Sequence, residues 1–153
     1  RLVLEDKEKG AVVTHLDVGV GISQALPILV NAAVTRQHTH LIEQPELHLH
    51  PRLQANLADV FIESALGERR NTFVLETHSE HLILRVMRRI RETTEGRLAK
   101  GATPVRPEDV AVFYVDSGPK GSVALEMPLN ERGALVKAWP GGFFEEGLKE
   151  MLA

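Results

Sequence analysis

Leu41-Ile42-Glu43-Gln44-Pro45-Glu46-Leu47-His48-Leu49-His50-Pro51 is the stretch on which the fold turns. An apolar run ends on an acid, a proline turn follows, and a second proline stands where a helix can start. The layout returns downstream in Phe73-Val74-Leu75-Glu76-Thr77-His78-Ser79, now with a histidine at the strand end. Two such strand ends, each followed by a helical pattern, predict neighbouring parallel strands whose tips share one site. Helices are expected from Pro51 to about Leu66 and from Glu80 to Arg91, with strands at Thr39 to Ile42 and Thr72 to Leu75.

Working outward, Asp17 to Gly21 reads as a loop and Ser23 to Val34 as a helix with Pro27 in its first turn. Arg1 to Glu5 and Gly10 to Leu16 read as two short strands around a charged turn. Towards the other end, Glu92 to Pro107 reads as a loop. Val110 to Val115 and Ser122 to Met127 are strands about the turn Asp116 to Gly121, and Phe143 to Leu152 is a final amphipathic helix. The predicted class is α/β with a mostly parallel sheet. The expected organisation is a main part over 1–95, a loop over 96–107, and strands and a helix over 108–153 that complete or flank it.

The 153 residues suffice for a proper core, and 43% of them are hydrophobic. Eighteen basic and 21 acidic side chains leave a net charge of -3, which demands neither a nucleic-acid nor a membrane partner. The absence of cysteine excludes disulfides and thiolate metal sites. No apolar run is long enough to span a membrane, and no signal-peptide pattern opens the chain, so the cytoplasm is the expected compartment. The chain opens on Arg1-Leu2-Val3-Leu4 without an initiating methionine and is expected to be one piece of a larger polypeptide.

The chemistry-bearing residues fall into three groups. Glu43, at the tip of a buried strand, is suited to hold Mg²⁺ through oxygen. Glu46 could act as general base on a water, cap the following helix or pair with His48; Gln44 cannot take a proton but can orient a water. The water-activating role is therefore shared between Glu46 and Gln44 at this point. His48 and His50 would face opposite ways in an extended segment. His78, at the second strand tip, can contact a γ-phosphate. His15 and His38 read as satisfied or surface imidazoles. The turn Gly19-Val20-Gly21 can cradle an anion at a helix start, with Ser23 adding a hydroxyl. No GxxxxGK[ST] occurs, so the main phosphate-binding loop is not in these residues.

Taken together, Asp17 to Arg91 resembles the C-terminal half of an ABC-class AAA ATPase, a group that includes the overcoming-lysogenization-defect nucleases and relatives of SMC-type ATPase heads. In that family a signature turn, a Walker B strand and a switch histidine follow in this order. Gly19-Val20-Gly21 matches the signature turn, with Gly19 where serine is usual, and Glu43 matches the Walker B aspartate. Gln44 falls where the catalytic glutamate usually stands, Glu46 to Pro51 matches an E-x-x-L-H-P run, and Thr77-His78-Ser79 matches the switch-histidine motif.

The resemblance implies a partial three-layer P-loop NTPase fold that lacks its Walker A half. It implies ATP and Mg²⁺ as cofactors, with Gly21 meeting the γ-phosphate of a nucleotide held mainly by a partner subunit. His50 falls in the segment that corresponds to the D-loop at the dimer interface. Self-association around nucleotide is the implied assembly, and hydrolysis is the full-length activity, with Gln44 slowing it. The tail from Val110 through Trp139-Pro140-Gly141-Gly142-Phe143-Phe144 looks like a C-terminal domain of unknown function that ends many such ATPases.

Two other readings use different residues. A metal-dependent hydrolase would draw on Glu46, His48, His50, His78 and His81. A binding module without catalysis would hold DNA or an effector protein on the basic helix face of Arg85, Arg88, Arg89 and Arg91.

Overall fold

The computed structural model describes residues 3–5, 9–14, 17–119 and 121–140. The chain divides into two compact units, Arg1–Leu82 and Ile83–Ala153.

In the first unit, β1 (Val3–Glu5) and β2 (Val12–Thr14) form an antiparallel pair. Helix α1 (Val20–Val34), strand β3 (Thr39–Glu43), helix α2 (Pro51–Leu66) and strand β4 (Thr72–Glu76) follow. β3 and β4 pair in parallel, as expected, with Thr39 opposite Thr72 and Glu43 opposite Glu76. α1 begins at Val20, earlier than its apolar pattern suggests, so Val20 and Gly21 are helical and Pro27 lies well inside the helix rather than in its first turn. The proline removes one rung of the helix ladder, and the Asn31 amide donates to the Pro27 carbonyl at 2.9 Å. α2 starts where its proline predicts. His50 is its N-cap, its Nδ1 accepting from the Arg52 N–H at 3.3 Å.

α1 and α2 pack together, with Ala25 and Ala32 of α1 and Leu57, Ala58, Phe61 and Ile62 of α2 buried. The small α1 residues permit a close approach, and the Ser64 hydroxyl of α2 donates to the Ala32 carbonyl at 2.8 Å. Phe61 meets Phe73 of β4 at 4.9 Å between ring centroids, and Phe73 stacks on His40 of β3 at 5.0 Å. The alternation of the strands leaves the opposite face open: Leu41 is 79% and Val74 54% exposed.

Buried Asn71 ties the starts of both strands to both helix ends. Its Oδ1 accepts from the His38 N–H at 2.9 Å. Its amide reaches the Thr35 carbonyl (3.1 Å), the Thr35 hydroxyl (3.0 Å) and the Ser64 hydroxyl (3.0 Å). His38 places Nδ1 at 2.7 Å from the Arg36 carbonyl, in line with its reading as a satisfied imidazole.

Helix α3 (Glu80–Thr94) begins in the first unit and continues in the second, where β5 (Phe113–Gly118) and β6 (Gly121–Glu126) form an antiparallel hairpin. Ile90, Val105 and Met127 are its buried apolar residues. The expected loop after α3 is pinned by Val105, whose N–H donates to the Thr93 hydroxyl at 3.0 Å. A 3-10 turn, Pro107–Asp109, precedes β5. Trp139 meets Tyr114 edge-on at 5.8 Å. The expected helix over Phe143 to Leu152 and His15 lie outside the described residues.

The mostly parallel sheet is corrected. Among the described residues there are three two-stranded sheets, and only β3–β4 is parallel. The other two pairs have too few residues between their strands for a crossover and can pair only antiparallel, whereas α2 supplies the crossover a parallel pair needs.

Candidate functional site

The C-terminal ends of β3 and β4 carry the site. The register sets Glu43 directly beside Glu76, with both side chains on the exposed face of the sheet. Two carboxylates side by side repel one another, and a cation between them relieves that repulsion. The Gln44 N–H donates to the Glu76 carbonyl at 2.8 Å, which extends the ladder one step past the strand. Gln44 itself is left-handed at φ 44, so the chain leaves the sheet sharply at this point.

The β3–α2 loop then folds as a turn. Leu47 N–H bonds to the Gln44 carbonyl at 3.0 Å, and Leu49 N–H to the Glu46 carbonyl at 3.0 Å. His48 is left-handed, φ 60, so the extended segment that would send His48 and His50 to opposite sides does not form. Pro45 and Glu46 are buried. Glu46 is only 7% exposed, and its Oε1 accepts from the backbone N–H of His78 at 2.8 Å. Its Oε2 is buried with no hydrogen-bond partner.

The β4–α3 loop is held as firmly. Ser79 Oγ accepts from the Leu82 N–H at 3.1 Å, the geometry of an N-cap on α3. The same hydroxyl donates to Gln54 Oε1 at 2.7 Å. Gln54 is oriented in turn by its own amide, which donates to the Leu49 carbonyl at 2.9 Å. The His78 imidazole projects outward, with Nε2 3.3 Å from Glu76 Oε1.

A separate groove of about 360 Å³ lies at the start of α1, lined by Gly19, Val20, Gly21, Ile22, His48, Leu49, His50 and Leu53. No side chain caps α1 at Gly19. Gly21 is buried against the loop: a Cβ there would overlap the His48 carbonyl oxygen and lie 2.8 Å from its carbon. Glycine is required by this close approach rather than by its own backbone angles.

Most sequence-predicted residues therefore sit on three neighbouring pieces. Glu43, Gln44 and Glu46 lie at the strand-end site and join His78 there. Gly19, Gly21 and His50 border the groove, while Ser23 lies in the first turn of α1 and does not line it. Glu76 and Gln54 are additions from the structure, as are the contacts of Ser79, which the sequence presents only as part of the switch-histidine run. Glu76 had a signal: both strands end on an acid. Gln54 had none, because its role depends on two loops meeting.

Among the described residues, no group of three or more His, Asp or Glu side chains is gathered to hold a metal, so the histidines of the hydrolase reading do not form a ligand set. The basic face of α3 is also less free than its sequence suggests. Arg88 pairs with Glu92 at 2.6 Å, and the Arg89 side chain is only 11% exposed, 3.8 Å from Glu92. Among the described residues no helix is long and apolar enough to cross a membrane.

A family model described as AAA ATPase domain matches residues 6–83, about half of the chain. The chain belongs to the AAA ATPase family. A second model, described as a protein of unknown function (DUF3696), matches residues 105–153, in line with the reading of the tail. No curated protein and no solved structure matches the chain. The family match spans the groove, both strand tips and the start of α3, so every piece of the site lies within the AAA ATPase domain.

Proposed function

We propose that this chain is the signature, Walker B and switch-histidine part of an ATPase of the ABC-like type, which closes as a dimer around Mg-ATP. The observation that carries the reading is the parallel register of β3 and β4, which brings Glu43 and the His78 loop to one end of one sheet. In this reading Glu43 holds Mg²⁺, aided by the adjacent Glu76, and His78 contacts the reacting phosphate. Gln44, whose amide can orient but not deprotonate a water, orders the attacking water. Gly19 and Gly21, with Ser23, meet the nucleotide held by a second subunit, and His50 lies at that interface.

ATP and Mg²⁺ supply the phosphoanhydride and the charge neutralisation; the chain's own residues position them. The phosphate-binding loop comes from outside these residues, since no GxxxxGK[ST] occurs among them. The exposed Leu41 and Val74 support this, because an apolar face on a parallel pair is normally covered by further elements of the same domain. Kinship with SMC-type heads or with overcoming-lysogenization-defect nucleases belongs to this proposal, as do an effector partner and a cytoplasmic location.

The test is Mg-ATP binding by calorimetry and ATP-dependent dimerisation by sedimentation, on protein that includes this chain and its phosphate-binding loop. Gly21→Arg should abolish the dimer, and Glu43→Ala should weaken Mg-ATP binding. A dimer that forms without nucleotide and is indifferent to both substitutions would refute the reading.

A further inference from the structure

The buried carboxylate of Glu46 has no place in the site chemistry as its geometry stands. It is 7% exposed, one oxygen is committed to the His78 amide at 2.8 Å, and the other is buried without a partner. Burying a carboxylate is costly, and a single amide bond offsets only part of that cost. The bond is, however, placed to hold the backbone at one residue, the histidine whose imidazole projects outward at the strand tip.

The loop that carries Glu46 is fastened at two further points. Its start is tied to β4 by the Gln44 N–H on the Glu76 carbonyl, 2.8 Å. Its second left-handed residue, His48, presents its carbonyl to Gly21 so closely that no Cβ fits between them. The 3.0 Å bond from the Leu49 N–H to the Glu46 carbonyl closes the turn between these contacts. A displacement at the start of α1 therefore presses on the His48 carbonyl, and the turn carries it to the side chain that holds His78.

We propose that the β3–α2 loop is a mechanical link between the N-terminus of α1 and His78, with Glu46 as its positioning residue. Glu46 acts through the His78 backbone and is not itself the group that takes a proton from water. The link is a property of the folded chain. Its meaning, a coupling between the nucleotide-facing turn and the switch histidine, rests on the ATPase reading above.

The test is ¹⁵N-resolved NMR on the full chain, reading the His78 amide in wild type, Glu46→Ala, Glu46→Gln, Gly21→Ala and the Gly21→Ala/Glu46→Ala double variant. Loss of a hydrogen bond to a charged acceptor should speed His78 amide exchange by about tenfold or more in Glu46→Ala and move its proton resonance upfield. Glu46→Gln retains an oxygen acceptor of about half the strength, so exchange should rise only about threefold. Gly21→Ala should shift the His78 amide resonance, and that shift should vanish in the double variant, which is the coupling evidence such a link needs.

The Leu57 and Phe61 amides of α2 serve as the control for an intact fold. Unchanged His78 exchange in Glu46→Ala, or a Gly21→Ala shift that persists in the double variant, would overturn the proposal. Should Glu46→Ala not fold, the small rise in Glu46→Gln with α2 still protected decides in favour, and no rise decides against. None of these readouts uses nucleotide. The ATPase reading fails separately, by absence of Mg-ATP binding and nucleotide-dependent dimerisation in protein that carries the phosphate-binding loop.

Discussion

Replacing Ser79 by alanine removes one hydroxyl that performs two tasks. It caps α3 by accepting from the Leu82 N–H at 3.1 Å, and it donates to Gln54 Oε1 at 2.7 Å. Loss of a serine cap costs about 1 kcal/mol. The Gln54 oxygen cannot find a new donor by flipping its amide, because the amide nitrogen is held by the Leu49 carbonyl. It is left without a donor in a site where Ser79 is only 4% exposed, which costs a further ~1–2 kcal/mol. The expected total is about 2–3 kcal/mol, measured by urea unfolding followed by circular dichroism. In a Gln54→Leu background there is no side-chain oxygen to be left without a donor, so Ser79→Ala should cost only the cap, a coupling of about 1–2 kcal/mol. A Ser79→Ala effect below about 1 kcal/mol, or a coupling near zero, would show that the hydroxyl does not join the two loops.

Asn71→Ala leaves the His38 N–H and the Ser64 hydroxyl without their buried partner and should destabilise by about 2–4 kcal/mol in the same unfolding assay. Arg70 is exposed and left-handed at φ 57, so Arg70→Gly should raise stability by about 0.5–1 kcal/mol, the left-handed cost less the added chain entropy of glycine. A loss of stability would show that the Arg70 side chain makes an interaction worth more than its backbone strain. In protein with the phosphate-binding loop, Gln44→Glu should raise ATP turnover at least about tenfold by adding a carboxylate at the first residue beyond β3; an unchanged rate of phosphate release would remove position 44 from water activation. His78→Ala in the same protein should leave Mg-ATP affinity within about threefold and lower turnover at least about tenfold, and an equal loss of both would make His78 a binding residue.

Local pattern was enough for much of this molecule. Apolar runs ending on Glu43 and Glu76, each followed by a polar turn and a helical period, predict two strands and their helices to within a few residues. Pro51 marks the start of α2 because its ring and missing N–H fit a first turn. The motif order from Gly19 to Ser79 carries the family resemblance, and the acid at each strand tip is visible as soon as the two runs are aligned. These features are legible because they depend on covalent neighbours.

Other features depend on residues that meet only when the chain is folded. Glu46 reads equally well as a base, a cap or a partner for His48, and only tertiary contact turns its carboxylate to the His78 amide and away from water. Gly21 looks like one more turn glycine until α1 is set against the His48 carbonyl, where a side chain has no room. Arg88 and Arg89 look like a free basic face until the helix turn brings Glu92 beside them. The proportion of parallel sheet is not legible for a related reason: alternation of strands and helices is visible along the chain, but pairing direction follows from the connection each strand pair has. Hydrophobic periodicity and turn chemistry are written locally, whereas the partner of a buried polar group is chosen by desolvation among whatever donors and acceptors the packed chain brings within reach.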